Sequence, residues 1–125
     1  RIPGRIYVLT GNYTFSAGIA TAAALKHDGG DKVAIVGAVS GDRTYWWSEH
    51  GEPVCLPASG VCFPVNTGYW NLVEGCRDNP RCYGDQFDIS VTTLEPALPA
   101  PLTSRDWLAN RDPGLAAIAA DLKTR

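Results

Sequence analysis

The chain has 125 residues, 45% apolar and 19% charged, with a formal net charge of −2. That composition suits one folded globular domain and excludes a disordered tail. The slightly acidic balance excludes an electrostatic footprint for nucleic acid or anionic lipid, and no apolar run reaches the roughly 20 residues of a membrane span.

Methionine is absent and the first residue is Arg1, with no signal peptide in sight. The expectation is a piece of a longer protein, so part of any active site lies outside this segment.

In chain order, Ile6-Tyr7-Val8-Leu9 reads as a buried strand ended by Thr10-Gly11-Asn12. Residues 17–26, rich in Ala, form a helix stopped by Asp28-Gly29-Gly30. Almost uncharged on every face, it is expected to lie buried between the sheet and another layer. Val33 to Gly37 is a second buried strand, which completes a βαβ unit with a parallel pair.

Tyr45-Trp46-Trp47 predicts an aromatic edge or hairpin strand. Val54-Cys55-Leu56 and Val61-Cys62-Phe63 flank a Pro-Ala-Ser-Gly turn and predict a hairpin. Residues 66–85 read as a long loop, and Phe87 to Val91 alternates like a strand. Glu95 to Pro101 is expected to run extended over the surface. Thr103 or Ser104 caps a short helix with Trp107 and Leu108, and Asp112-Pro113 opens a last helix through Leu122.

The four cysteines, Cys55, Cys62, Cys76 and Cys82, are spaced C-x6-C and C-x5-C. Zinc sites use closer pairs, and no histidine lies between these. Of three connectivities, Cys55–Cys62 and Cys76–Cys82 is the simplest. Disulfides imply an oxidising, extracytoplasmic compartment, periplasmic or secreted.

Ser16 is the informative position. It lies between a buried strand and an apolar helix, where Ser is a preferred N-cap. The same place suits a nucleophile, because first-turn N–H groups and the helix dipole stabilise an oxyanion. Ala17 and Gly18 are small enough for a substrate to approach the backbone.

The run IYVLT, then TFSAGIATAAALK, then KVAIVG with a Gly-containing loop, resembles the carboxy-terminal processing (tail-specific) and tricorn-type serine peptidases. The ending LEPALPAPLTSRDWLANRDPGL is similar to that family's ending. The likeness covers about positions 5–41 and 94–115. It implies an α/β fold of the Clp protease/crotonase type, present as the C-terminal part of a catalytic core. On that reading residues 1–41 are the βαβ unit, 42–93 a disulfide-stapled hairpin and loop insertion with a return strand, and 94–125 a Pro-rich, helical tail.

The resemblance implies that Ser16 is the nucleophile and that the Ala17 N–H forms one side of the oxyanion hole. The tail-specific lysine has no counterpart: the loop after the second strand reads Gly41-Asp42-Arg43, and Lys26 and Lys32 lie elsewhere. Arg43 does not deprotonate at ordinary pH. Ala38 and Ala97 replace two family carboxylates. The tricorn branch takes its histidine from upstream, which here means outside the segment, and an acidic partner from downstream. Glu74 is the candidate for that partner.

His27, about 16 Å along the helix, is out of reach of Ser16 and suits a helix C-terminus. His50 lies in a turn. Trp46, Trp47 and Tyr69, with Tyr45 and Trp70 beside them, are candidates to line a substrate groove. The expected partners are a peptide or protein substrate and the N-terminal remainder of the same protein, with room for a homo-oligomer. No metal or organic cofactor is implied. The alternative reading is a catalytically degenerate peptidase-fold domain that binds peptides or supports assembly.

Overall fold

The computed structural model describes residues 3–48, 51–82 and 88–124. The described residues form a mixed α/β structure with three small sheets and a C-terminal helix.

Strand β1 (Ile6–Thr10) pairs in parallel with β2 (Val33–Gly37), in register from Ile6 opposite Val33 to Thr10 opposite Gly37. Between them runs α1 (Ala17–Gly29), closed by a 3-10 turn at Gly30–Lys32. All five residues of β2 are buried, as a parallel strand covered on both faces must be.

Strand alternation decides what covers each face. On one face Val8 packs against Ile19, Ala22, Ala23 and Ile35. On the other, Tyr7 donates a 2.6 Å hydrogen bond to Asp121 of α3 (Pro113–Lys123), and Leu9 meets Gly114 of the same helix. A Cβ at Gly114 would stand 2.5 Å from the Leu9 side chain, so glycine lets α3 approach closely.

The helix α1 is covered on one side only. Ile19, Ala22 and Ala23 are buried, while Ala17, Gly18, Thr21 and Leu25 are exposed. This corrects the expectation of burial all round. Its Ala, Gly and Thr side chains carry little apolar surface, so facing water costs little.

The tail does more than cross the surface. Leu98–Pro99 forms β7, a third parallel strand beside β2. Proline tolerates such an edge position because the ladder donors lie elsewhere: Ala97 N–H bonds the Ile35 carbonyl and Ala100 N–H the Gly37 carbonyl. Thr103 then caps α2 (Ser104–Leu108) in a full capping box with Asp106, and Asp112 caps α3 ahead of Pro113.

The middle of the chain makes two antiparallel ladders. Strand β3 (Tyr45–Ser48) pairs with β6 (Gly68–Asn71), and β4 (Pro53–Cys55) pairs with β5 (Cys62–Pro64). Both disulfides form, Cys55–Cys62 and Cys76–Cys82. The first joins residues directly opposite each other in the hairpin.

Two expectations fail here. The stretch read as a structureless loop contains β6, whose Tyr69 and Trp70 are strand-favouring residues. Residues Asp88 to Val91 form no strand; Val91 instead donates one bond to the Leu72 carbonyl, and Phe87 lies outside the described residues. Leu72, Val91 and Leu94 join the buried cluster under α1 and tie the middle to the core.

Candidate functional site

Ser16 occupies the N-cap of α1 with φ 51° and ψ −121°, a left-handed backbone that a residue with a Cβ adopts at a cost. Its side chain makes no capping bond and the residue is exposed. The hydroxyl is therefore not spent on the ordinary job of a serine at this place. The Ala20 N–H bonds the Ser16 carbonyl, and the Gly18 N–H bonds Phe15. The Ala17 N–H belongs to the first turn, where a helix supplies no acceptor of its own.

The turn before Ser16 is fixed from several sides. Thr14 N–H bonds the Gly11 carbonyl at 2.8 Å, and its hydroxyl accepts from the Gly11 N–H at 3.0 Å. The loop after β2 lies directly against it: Gly41 N–H bonds the Thr14 carbonyl, and a Cβ at Gly41 would stand 1.8 Å from the Asn12 carbonyl oxygen. Thr10 and Ala38 exchange two more bonds, Ala38 N–H to Thr10 carbonyl and Thr10 hydroxyl to Ala38 carbonyl. The strained residue thus sits on a braced support at the carboxyl ends of two parallel strands, where open α/β sheets place their ligands.

The other candidates lie apart from Ser16. The Glu74 carboxylate accepts from the Asn71 side-chain amide nitrogen at 2.9 Å, while the Asn71 Oδ1 accepts from the Val73 and Glu74 N–H groups. Val73 accepts from the Ser90 hydroxyl, and Ser90's backbone bonds the His27 ring in the last turns of α1. Among the described residues no hydrogen bond brings Glu74 to Ser16. Lys26 is used at the same far end, bonded to the Gly30 and Val33 carbonyls. Arg43 lies over the Tyr45 ring. His50 falls outside the described residues.

The aromatic candidates satisfy one another. Trp46 stacks on Trp70 across the β3–β6 ladder at 5.5 Å, and Trp47 meets Tyr69 at 5.0 Å. Alternation puts these pairs on opposite faces. Trp46 packs on the core, while Trp47 is exposed. Trp46, Trp47 and Tyr69 therefore share no single wall.

A cleft of about 650 Å³ opens instead at the carboxyl ends of β1 and β2. It runs from the Gly11–Thr14 turn to the α2–α3 corner and is lined by Leu9, Tyr13, Leu102, Trp107, Arg111 and Asp112, among others. Sequence reasoning assigns Trp107 only to a short helix. The signal it leaves unused is a large aromatic residue on a helix too short to bury it. Asp106, on that helix, has its carboxyl held below the usual range, chiefly by the Thr103 hydroxyl, with Arg111 assisting against partial burial.

Among the described residues no cluster of three His, Cys, Asp or Glu side chains is grouped to hold a metal ion, and no helix is long and apolar enough to cross a membrane. Comparison of the chain with protein-family models, curated proteins and solved structures finds no match.

Proposed function

We propose that this segment is the C-terminal part of a serine peptidase core of the Clp protease/crotonase type, acting outside the cytoplasm on extended peptides or protein tails. The single observation that carries the reading is Ser16: a strained, exposed serine at a helix N-terminus, its hydroxyl making no capping bond, at the carboxyl end of a parallel strand. Strain of this kind persists where surrounding structure enforces it, and it clusters at reactive sites. The two disulfides support the extracytoplasmic assignment.

In the proposed reaction the Ser16 Oγ adds to a peptide carbonyl carbon, and its proton passes to a base supplied from outside this segment. The Ala17 N–H donates to the oxyanion. Collapse expels the amine, which takes up that proton, and water then cleaves the acyl-serine ester to regenerate the hydroxyl.

The exposed Ser16 hydroxyl, which makes no capping bond, also suits a second reading, a peptide-binding domain without catalysis. Ser16→Ala in the full-length protein, assayed on a peptide library, separates the two. The peptidase reading predicts that turnover falls by about a thousandfold or more. Turnover that survives the substitution contradicts it, and peptide binding without turnover by the unaltered protein selects the second reading.

A further inference from the structure

The cleft beside the Ser16 turn has the size of a ligand site, since such sites run from roughly 300 to 1,000 Å³. Its exposed walls are apolar and aromatic. Tyr13 is 93% exposed and Trp107 74%, with Leu9 and Leu102 about half exposed. Trp and Tyr supply large contact area with few side-chain rotations to freeze, which makes them frequent anchors of binding.

Charge decides what the cleft suits. Arg111 and Asp112 line it, but both are used internally. The Arg111 guanidinium holds the Asp106 carboxylate with bonds of 3.2 and 3.3 Å, and the Asp112 carboxylate accepts from the Leu115 N–H at 3.0 Å. Each of these charges already has a partner within the chain, which lowers what a charged ligand gains here, whereas the exposed Leu9, Leu102 and Trp107 surfaces favour a neutral apolar group.

The cleft is also preformed. The Thr103–Asp106 capping box fixes α2, and Arg111 N–H bonds the Asp106 carbonyl at 2.9 Å. Tyr13 and Thr14 line the cleft and belong to the turn that presents Ser16. An extended peptide advances about 3.3 Å per residue, so a side chain a few residues from a bond held at Ser16 reaches this cleft.

We propose that the cleft is a specificity subsite that seats a neutral apolar or aromatic side chain of the extended peptide presented to Ser16. This rests on the nucleophile reading of Ser16, and the experiment keeps the two apart. Binding is measured on full-length Ser16→Ala protein, so that turnover plays no part. The probes are two hexapeptides blocked at both ends, one of Ala and Ser only and one with a single Phe.

The Phe peptide should bind more tightly, and Trp107→Ala should remove that advantage, weakening it about tenfold, whereas Trp107→Phe retains it. The Ala/Ser peptide should be indifferent to both changes. Leu102→Asp, at a second wall of the cleft, should act like Trp107→Ala. Equal binding of the two peptides, or a Phe preference untouched by both Trp107→Ala and Leu102→Asp, overturns the subsite. Fluorophosphonate labelling of the unaltered protein reads the nucleophile separately and should mark Ser16. A Trp107-dependent preference without any labelling leaves the cleft's binding role standing and removes Ser16 chemistry.

Discussion

The parallel sheet with its helices and the segment between residues 45 and 82 are held by different physics. In the first, β2 is buried along its whole length, with α1 on one face and α3 on the other, and burial fixes the structure. In the second, the β4–β5 hairpin is exposed along both strands, with Val54, Leu56, Val61 and Phe63 all open to solvent. A lone hairpin of that kind is marginal in water, so the Cys55–Cys62 bond supplies what burial does not. The difference teaches what can hold a strained residue in place. At Ser16 the support is the buried half, through the bonds that tie the ends of β1 and β2 together.

The largest expected effect breaks that support. Gly37 has φ 115°, and a Cβ there would stand 2.2 Å from the Thr10 carbonyl oxygen. Gly37→Ala combines positive-φ strain with a clash against backbone and should cost about 5 kcal/mol, read as a lowered urea midpoint of the full-length protein. An unchanged midpoint would mean that the ends of β1 and β2 are not braced as described.

Leu72 tests how the two regions are joined, since it is a middle residue buried in the core under α1. Leu72→Ala should cost about 2–5 kcal/mol. The loss should appear in amide exchange of both α1 and β6; loss confined to β6 would show two independent units.

Breaking the Cys55–Cys62 bond by paired serine substitution sharpens the contrast. It closes a short loop, so its removal should cost about 2.5 kcal/mol. Amides of β4 and β5 should lose protection, while those of β2 should not. Equal loss in β2 would place the hairpin inside the main cooperative unit.

The smallest effect is a pH dependence at α2. Asp106 has a depressed pKa in the folded chain, so the folded state favours its ionised form. Its contribution is present above the ordinary carboxylate range, near pH 4, and fades as pH falls through the folded value. The protection factor of the Trp107 amide, taken against the intrinsic exchange rate at each pH, should fall in acid, and Asp106→Asn should flatten that response.

Much of the buried half was legible in the sequence because local signals agreed there. Apolar strand runs, the Gly29-Gly30 stop and the Asp112-Pro113 start all correspond to observed elements. The cysteine spacing also led to the observed pairing. The middle was harder to read because long-range partners decide it. Tyr69 and Trp70 form a strand only because Trp47 and Trp46 lie opposite, and Leu98-Pro99 only because β2 offers an edge.

The candidate site was less legible. Ser16 was marked by its place between strand and helix. Its positive φ and its lack of a capping bond are facts of the backbone path, which no residue type announces. Trp107 and Tyr13 meet across the cleft only after residues 98–114 fold back over the strand ends.

The most direct test of the account is active-site labelling of the full-length protein with a fluorophosphonate, followed by peptide mapping. One residue in this segment, Ser16, should carry the label, which prior denaturation and Ser16→Ala should each abolish. A folded protein that takes no label at Ser16, or that labels equally after Ser16→Ala, would contradict it.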